Sequence, residues 1–386
     1  MPKRTLIVLR TIPHYRAPFF ELLRGHLSEA GVQLGLVYGQ PEPEESSKQD
    51  SVRVEWAVER RTVFIPAGGR SLLWQACLAP ALRADLVVVE QASRLLVNYP
   101  LVALQSLGGP RVAFWGHGRT PKAVPSSRLG EAAKGFMSRR VHWFFAYNEV
   151  GADLVRGLGV DPGRITVVQN AIDTSSLVAA ARDLNDAQLG AERARLGLTG
   201  ENVCLFVGAM YREKRLPFLI ASCELIRQRV PDFEMLFVGD GPEAHVVLDA
   251  TRRNPWMKHL GPVNDARRAI FYRLAKLVLM PGRVGLGILD ALALETPLVT
   301  TAVPYHAPEI GYLEDGVNGV VVADPDSPHV YAGCVEALLA DATWRERLRT
   351  GCRRTSGQYG IEQMARNFAD GVLAALEAPG PGLPTG

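Results

Sequence analysis

The segment PGRVGLGILDALALETP (281–297) combines a turn, small residues, one acid and an apolar helix. Gly285, Leu286 and Gly287 should lead into a helix whose first backbone N–H groups point outward and can bind a phosphate. Asp290 then lies one turn into the helix, where its carboxylate can accept hydrogen bonds from sugar hydroxyls of the same ligand. Alternatively, Asp290 only stabilises the helix dipole, by about 0.3–1 kcal/mol.

A second loop carries cations. In VGAMYREKRLPFLI (207–220), a predicted strand ends in glycine and the loop brings Arg212, Lys214 and Arg215 to the next helix. Three cations after a strand suit an anionic ligand, although surface lysines and arginines are common. The phosphate site predicted at Gly285–Ile288 strengthens this interpretation, because the loop and that site can bind one ligand.

The glycine-rich stretch VGDGPEA (238–244) matches GxGxxA between a strand and a helix. The match is weak, because the acid expected about 20 residues later for a dinucleotide site is missing from KHLGPV (258–263). A tight turn that needs glycine is at least as good an interpretation. A mononucleotide packing nearby fits both.

Short apolar runs alternate with helix-length segments along the chain, which predicts parallel sheets covered on both faces. In the first half a helix is predicted from about Pro18 to Glu29, and the second half restarts the pattern. The predicted strands are 5–10, 33–39, 85–91, 111–116, 141–148 and 164–170, then 202–208, 233–239, 277–282, 297–303 and 319–324.

Two such series indicate two doubly wound domains, with the boundary in the polar, strand-free segment 176–202. We assign residues 1–180 to the first domain and 181–358 to the second, followed by a C-terminal segment, 359–386. Ligands of open parallel sheets bind beyond the carboxyl ends of the strands, which is where the three loops above lie.

Composition narrows the function further. The chain has 386 residues and a net charge of +3, from 43 basic and 40 acidic residues. This balance argues against a nucleic-acid protein that relies on phosphate neutralisation. Five scattered cysteines without a CxxC pair are typical of a reducing compartment and offer no metal site. No apolar run reaches the roughly 18 residues of a spanning helix. We expect a cytoplasmic protein that can rest on the inner face of a membrane.

The segment 282–299 resembles the signature of the retaining glycosyltransferases of family 4, which have the GT-B fold. That signature reads E-x-F-G-L-x-x-x-E-A followed by G-x-P-V-V. Other segments are similar to family motifs in the same order along residues 110–325, and the set is specific although no single piece is. These segments are FWGHG (114–118), VVQNAID (167–173), VGAMYREK (207–214) and APEIGYLEDGVNGVVV (307–322).

The resemblance implies roles for individual residues. Asp290 takes the place of the glutamate that binds the nucleotide ribose, and Lys214 that of the lysine on the diphosphate. The amides of Leu286, Gly287 and Ile288 would bind the same diphosphate. His117 would reach the transferred sugar. Arg212 would add charge, while Gly208, Gly285 and Glu309 would line the donor pocket.

Several positions depart from the family pattern. The first signature glutamate, which contacts donor-sugar hydroxyls, is Gly282 here, and the arginine after the loop glycine is Ala209. The glycines before the P-E segment are replaced by Tyr305-His306-Ala307, and the glycine-rich first loop becomes TIPHYRAPFF (11–20). These changes cluster around the donor sugar and the acceptor, which implies an unusual sugar pocket.

The first domain is expected to bind the acceptor. Candidate residues are His14, Tyr15 and Arg16 after the first strand, joined by Arg119 and Lys122 after another strand. The acceptor is expected to be a glycan, a lipid-linked molecule or a small molecule. In the GT-B fold the two domains face each other across a cleft, and a C-terminal helix returns to the first domain. Residues 358–376 have the apolar spacing for that helix, which can equally face a membrane or a partner.

The resemblance implies sugar transfer from a nucleoside-diphosphate sugar with retention of configuration, in glycoside or polysaccharide biosynthesis. Neither a cofactor nor a metal is expected, because the cations can stabilise the departing diphosphate. Two alternatives stay open. A sugar-nucleotide epimerase of the same fold would need paired carboxylates, of which Glu90 is one candidate. A non-catalytic nucleotide-sugar-binding protein would explain the lost glutamate.

Overall fold

The computed structural model describes residues 2–42, 52–67, 70–118 and 128–380. Contacts divide the chain into two compact units, Met1–Ile172 with Ile361–Gly386, and Asp173–Gly360. The polar segment 176–202, in which the sequence placed the domain boundary, forms two helices at the start of the second unit. Within these described ranges, none of the helices has the length and apolar character that spanning a membrane requires.

The first unit is built on a parallel sheet. Its strands are β1 (Lys3–Leu9), β2 (Val32–Tyr38), β3 (Val58–Glu59), β4 (Thr62–Ala67), β5 (Arg70–Gln75), β6 (Leu86–Glu90), β7 (Arg111–Gly116), β8 (Trp143–Ala146) and β9 (Ile165–Val167). Seven of them pair in the order β3-β2-β1-β6-β7-β8-β9, with every pair parallel. The buried faces of β1, β6, β7 and β8 supply much of one hydrophobic core.

The helices of the first unit follow its strands. They are α1 (Ala17–Glu29), α2 (Leu78–Ala81), α3 (Asn98–Ser106), α4 (Arg128–Ser138) and α5 (Glu149–Gly157). A 3-10 turn, His14–Arg16, precedes α1. Pro18 lies in the first turn of α1, where its missing N–H costs no hydrogen bond. The helix predicted from Pro18 to Glu29 is therefore confirmed.

The antiparallel hairpin of β4 and β5 was not predicted from the sequence. Its first strand contains Pro66, and it exposes Val63 and Ile65, which are 44% and 42% exposed. The apolar runs VFIPA (63–67) and LLW (72–74) of this hairpin were not assigned as strands, and Pro66, which cannot donate a backbone hydrogen bond, is a residue found only on edge strands or at bulges.

The second unit carries six parallel strands in the order β12-β11-β10-β13-β14-β15. They are β10 (Asn202–Val207), β11 (Phe233–Val238), β12 (Met257–His259), β13 (Leu277–Leu279), β14 (Leu298–Thr301) and β15 (Gly319–Val322). Its helices are α6 (Ser175–Arg182), α7 (Asp186–Leu196), α8 (Leu216–Arg229), α9 (Ala244–Arg253), α10 (Asp265–Leu274), α11 (Gly287–Ala293), α12 (Pro328–Ala340) and α13 (Ala342–Ser356). Parallel sheets with interspersed helices in both halves confirm the predicted fold class.

The last helix, α14 (Ile361–Glu377), belongs to the first unit. Phe368 is fully buried there and stacks on Phe145 of β8 with ring centroids 4.3 Å apart. The imidazole Nε2 of His142 lies 2.8 Å from the carbonyl oxygen of Ala375. The predicted return of the C-terminal helix to the first domain is confirmed, and its apolar face is used for packing.

Candidate functional site

Two loops meet at the carboxyl edge of the second sheet, because β10 and β13 are neighbours. The loop after β10 contains a 3-10 turn, Arg212–Lys214. The Nζ of Lys214 donates to the carbonyl oxygen of Arg283, 2.6 Å away, and approaches the Sδ of Met280 at 3.4 Å. A lysine ammonium has three hydrogens, so Lys214 keeps one for a ligand oxygen.

Lys214 is only 6% exposed. Burial, and to a smaller extent the neighbouring guanidinium of Arg283, together lower its pKa to about 8. An anion bound beside this ammonium would relieve both costs, since it replaces lost hydration and offsets the like charge. The geometry therefore suits a phosphate oxygen, and the contact of Lys214 with a diphosphate stays a prediction.

Gly282 fills a position at which no side chain fits. A Cβ built there would lie 2.2 Å from the carbonyl oxygen of Glu213 and 2.5 Å from the carbonyl carbon of Lys214. The N–H of Arg283 donates to the same Glu213 oxygen at 2.8 Å. The lost signature glutamate thus comes with a close approach of two backbones, and restoring it requires the loops to separate.

His306 holds the other side of this loop. Its Nδ1 accepts a hydrogen bond from the N–H of Val284 at 3.0 Å, so its Nε2 carries the proton and donates to the carbonyl oxygen of Thr301 at 2.8 Å. Burial lowers the pKa of His306, and Lys214 and Arg283 lower it further. The neutral imidazole replaces the glycines of the family pattern as a fixed support for residues 282–285.

The helix start after this loop differs in one respect from the prediction. The N–H of Ile288 donates to the carbonyl oxygen of Gly285 at 3.1 Å, within the first turn of α11. Its amide is therefore engaged, and the predicted cradle is corrected to Leu286 and Gly287. Gly285 lies beside Ala307, whose Cβ would be 3.7 Å from a Cβ at the glycine.

Asp290 is 3% exposed in α11 and faces α10. Its Oδ2 lies 3.6 Å from Nη1 of Arg268, while its Oδ1 has no hydrogen-bond partner within the described parts of the chain. The pKa of Asp290 is raised to about 6, mainly by burial; Arg268 opposes this rise and Asp265 adds to it. A buried carboxylate oxygen without a partner is costly, so it suits a ligand hydroxyl.

The two remaining cations of the loop after β10 have different surroundings. Arg212 is exposed and stays available to a ligand, whereas Arg215 donates to Pro325 and forms an ion pair with Asp326 at 3.0 Å. Arg215 has a φ of 57°. The prediction that all three cations serve one anion is corrected for Arg215, which ties the loop to the segment after β15.

The glycine-rich turn after β11 has a packing role. A Cβ at Gly239 would lie 2.1 Å from the carbonyl oxygen of Gly208, and the N–H of Gly208 donates to Val238 at 3.0 Å. Glycine at 239 lets the loops after β10 and β11 approach closely. This supports the tight-turn interpretation of VGDGPEA, and it fixes Gly208 at the edge of the site.

Glu309 lies in the 3-10 turn Pro308–Tyr312 and is 4% exposed. The N–H of Ala307 donates to the carbonyl oxygen of Val284 at 2.9 Å, which ties this turn to the loop after β13. Glu309 therefore lies two residues after a contact with the loop that follows β13. Its role in lining the donor pocket stays a prediction.

His117 belongs to the first unit, after β7. Its ring lies over Tyr147 with centroids 4.2 Å apart. Gln91 holds the next residue, Gly118, from both sides: Oε1 accepts from its N–H at 2.9 Å and Nε2 donates to its carbonyl at 3.1 Å. Gln91 was missed in the sequence, although its position just after β6 was a usable signal.

The first loop of this unit carries three residues that were predicted to bind the acceptor, and only two of them are accessible. His14 is exposed and Tyr15 half-buried, so both side chains can meet a ligand. Arg16 is 5% exposed and donates to the carbonyl of Ala171 at 3.2 Å and to the side chain of Asn170. These contacts favour a structural role for Arg16 over acceptor binding. The other two acceptor candidates, at 119 and 122, lie outside the described residues.

Glu90, the carboxylate considered for an epimerase, forms an ion pair with Arg10 at 3.1 Å. A search of the described residues finds no group of three or more metal-binding side chains. The carboxylate of Glu90 is thus engaged by a cation in the described structure.

Comparisons with known proteins match both halves of the chain. Residues 19–176 match the family model described as Glycosyltransferase Family 4, and residues 201–341 match the model described as Glycosyl transferases group 1. The first match covers most of the first unit and the second covers the strands and loops of the candidate site.

Curated relatives agree with the family models. The chain is 31% identical to a D-inositol 3-phosphate glycosyltransferase of Salinispora arenicola over 246 residues, which are 59% of this chain and 54% of that protein. It is 25% identical to the alpha-D-kanosaminyltransferase of Streptomyces kanamyceticus over 291 residues, or 72% of this chain and 68% of that protein. The chain thus spans about half the length of the first of these relatives.

Solved structures show the same fold. Anabaena Alr3699/HepE in complex with UDP has a TM-score of 0.67 at 15% identity, covering 96% of this chain and 99% of that chain. WaaG, a glycosyltransferase involved in lipopolysaccharide biosynthesis, has a TM-score of 0.63 at 15% identity, covering 95% and 98%.

Proposed function

The chain belongs to the family 4 glycosyltransferases with the GT-B fold, and from this premise we propose that it transfers a sugar from a nucleoside-diphosphate sugar to an acceptor hydroxyl. The observation that carries the proposal is the corner of the second unit where Lys214 and the helix start at Leu286 lie on neighbouring loops. In α11, the helix that begins there, Asp290 has a buried carboxylate oxygen without a hydrogen-bond partner in the described chain.

The donor would use this corner as follows. Lys214 donates its third hydrogen to a diphosphate oxygen, and the amides of Leu286 and Gly287 donate to the same group. Arg212 adds charge from the exposed end of its turn. Asp290 accepts a hydrogen bond from a ribose hydroxyl, either directly or through water. Gly208 lets the backbone approach the ligand.

The chemical step then depends on charge. Breaking the anomeric C–O bond leaves the nucleoside diphosphate with extra negative charge, which Lys214 and the amides stabilise as it develops. We propose front-face attack with retention, in which a departing phosphate oxygen takes the proton of the acceptor hydroxyl. The cations at the diphosphate can act without a divalent metal or a cofactor.

We assign acceptor binding to the first unit, through His14 and Tyr15, with His117 beside the transferred sugar. In this proposal the domain limits predicted from the sequence, 1–180, 181–358 and 359–386, are replaced by those of the two units. The first unit consists of Met1–Ile172 and Ile361–Gly386, and the second of Asp173–Gly360. Acceptors to be tested are small molecules, glycans and lipid-linked molecules, the last of which would bring the protein to the inner face of a membrane.

Product analysis tests the proposal. The protein is incubated with nucleotide sugars and a set of acceptors, with and without EDTA, and products are identified by mass spectrometry and NMR. We expect nucleoside diphosphate release, a glycoside with the donor's anomeric configuration and no loss of rate with EDTA. An isomerised nucleotide sugar would show an epimerase, and binding without turnover of any acceptor would favour a non-catalytic binding protein.

A further inference from the structure

A cavity of about 330 Å³ lies in the second unit, where α6, α10 and α11 end beside α13. Ala181 and Leu294, which line it, pack in one apolar cluster. Because α10 and α11 lead into β13 and β14, their ends lie at the amino edge of the parallel sheet. The candidate donor site lies at the opposite, carboxyl edge, so this cavity is a separate feature of the unit.

The cavity is rich in positive charge. Its lining residues include Arg182, Arg273 and Arg349, for which we call it the arginine cavity, and they include the carboxylate of Glu295. Both oxygens of Glu295 are held by Arg353, with Oε1 2.8 Å from Nε and Oε2 2.6 Å from Nη2. A fourth arginine thus neutralises Glu295, and the charge of the three lining arginines remains.

The backbone of Glu295 is strained. Its φ is 52°, in the left-handed region, and it stands where the family signature G-x-P-V-V has its glycine. A left-handed residue with a side chain costs about 1–2 kcal/mol, whereas an exposed ion pair such as that with Arg353 contributes about 0–1 kcal/mol. Strain of this kind is typical of ligand sites. Arg353 occupies one acceptor direction of each oxygen, so the carboxylate can still accept a ligand hydroxyl.

The arginines have an alternative, purely structural role. Arg182 and Arg273 lie in the last turns of α6 and α10, where a cation stabilises the helix dipole by about 0.3–1 kcal/mol. Arg349 lies in the interior of α13 and pairs with Glu346 at 3.5 Å, between two exposed side chains. The dipole role does not explain why an arginine from a third helix shares the same cavity. It also predicts an effect on stability and none on ligand binding.

We propose that the arginine cavity is a second anion site, which binds a small phosphate monoester that carries hydroxyl groups. Guanidinium groups match phosphate oxygens in charge and in the fork geometry of their donors. Glu295 accepts a hydrogen bond from a hydroxyl of the same molecule. The volume lies at the small end of the range for small-molecule sites, about 300–1,000 Å³, so it leaves room for a short organic part beside the phosphate.

The experiment is methyl NMR at constant ionic strength on protein labelled at alanine and leucine methyl groups. The methyls of Ala181, Ala275 and Leu294 line the arginine cavity and report on it directly. The probes are glycerol 3-phosphate, ethyl phosphate, which lacks the hydroxyls, and glycerol, which lacks the phosphate. Each is titrated into the full chain.

Four variants accompany wild type. Arg182→Gln with Arg273→Gln removes two lining charges, and Arg349→Gln removes the third alone. Lys214→Ala removes the cation of the candidate donor site. Arg252→Gln, at an exposed side chain of α9 that pairs with Asp249, is the matched surface control. Urea denaturation verifies that each variant is folded.

We expect glycerol 3-phosphate to shift the cavity methyls with saturation and glycerol to leave them unchanged. Ethyl phosphate should bind at least about three-fold more weakly, because it makes no hydrogen bond to Glu295. The double variant should bind glycerol 3-phosphate at least about ten-fold more weakly, and Arg349→Gln at least about three-fold, since charge-assisted hydrogen bonds are lost. Lys214→Ala and Arg252→Gln should behave as wild type.

Four results would overturn the inference. They are the absence of a saturable shift at the cavity methyls, unchanged affinity in the double variant, and equal affinity for ethyl phosphate and glycerol 3-phosphate. The fourth is loss of the shift in Lys214→Ala, which would assign the phosphate to the donor site, because Leu294 shares α11 with Asp290 and donates to its carbonyl at 2.9 Å. None of these results bears on sugar transfer, so the proposed function stands or falls separately.

Discussion

Two buried ionisable side chains define the candidate site at the residue scale. Lys214 and Asp290 are 6% and 3% exposed, and burial moves the pKa of both toward the neutral form, to about 8 for the lysine and about 6 for the aspartate. Such groups reduce the stability of the folded chain at neutral pH. They are the pattern expected where ligand binding repays the cost.

Replacing Lys214 with methionine should stabilise the unliganded chain. At pH 7 both folded and unfolded wild type carry the ammonium, but only the folded chain buries it, so Lys214→Met should raise the free energy of unfolding by about 1–2 kcal/mol. Between pH 8 and 10.5 only the unfolded lysine keeps its proton, so wild-type stability should rise and the difference shrink. Native-state hydrogen exchange of the β10 and β13 amides measures the difference in free energy of unfolding between the two proteins. A Lys214→Met protein that is less stable than wild type at pH 7 would contradict the account.

Arg268 should set the pH range of nucleotide binding. Arg268 lowers the pKa of Asp290, so Arg268→Met should raise it above about 6. Asp290 binds a hydroxyl best as the carboxylate; affinity should therefore fall as pH drops through this pKa, and at a higher pH in the variant. Titrations from pH 5 to 8 measure the midpoint. Arg252→Met, which removes an exposed pair with Asp249, is the control, and an unchanged midpoint in Arg268→Met would refute this role.

At the element scale, the loop after β13 is held by contacts that the sequence pattern does not display. The strand series and the loops at their carboxyl ends could be predicted, because buried parallel strands read as continuous apolar runs. Contacts between distant loops could not. The ion pair of Asp290 with Arg268 and the support of Val284 by His306 each join residues 22 positions apart. The resemblance showed that a glutamate was missing at 282, but only the structure shows why.

Gly282→Ala should separate the two loops. Its Cβ would meet the backbone of Glu213 at 2.2 Å, so we expect a loss of about 2–3 kcal/mol in stability and at least about ten-fold weaker nucleotide binding. Gly333→Ala on α12, with no atom within 4 Å, is the matched control. It should gain about 0.5–1 kcal/mol from helix propensity. Urea denaturation and titration measure both; a Gly282→Ala protein as stable as its control would disprove the close approach.

At the scale of the whole molecule, the chain leaves the first unit at residue 172 and returns to it at 361. The apolar spacing predicted the returning helix and the family resemblance its return to the first unit, whereas the spacing alone left its partner surface open, since amphipathic helices also face membranes. Phe368 decides the question here by stacking on Phe145. Burial of Arg16 is a comparable case, in which an exposed role was expected and the charge is used inside the unit.

Phe368→Ala should destabilise the first unit. The fully buried ring packs on β8 and near Trp115 at 5.0 Å, so its removal should cost about 3–4 kcal/mol. Phe136→Ala, at a side chain 46% exposed, should cost less than about 1 kcal/mol. Hydrogen exchange of β7 and β8 amides measures both. Equal effects of the two substitutions would mean that α14 is not part of the core of this unit.

The central claim is that the second unit binds a nucleoside diphosphate between Lys214 and the start of α11, with Asp290 on the ribose. Its most direct test is calorimetric titration of UDP and other nucleoside diphosphates, without added metal, into wild type, Lys214→Ala and Asp290→Ala. The account predicts that one nucleotide binds wild type and that each substitution weakens it at least about ten-fold. If none of the nucleotides binds, or if neither substitution changes the affinity, the chain keeps the fold of its family without this donor site.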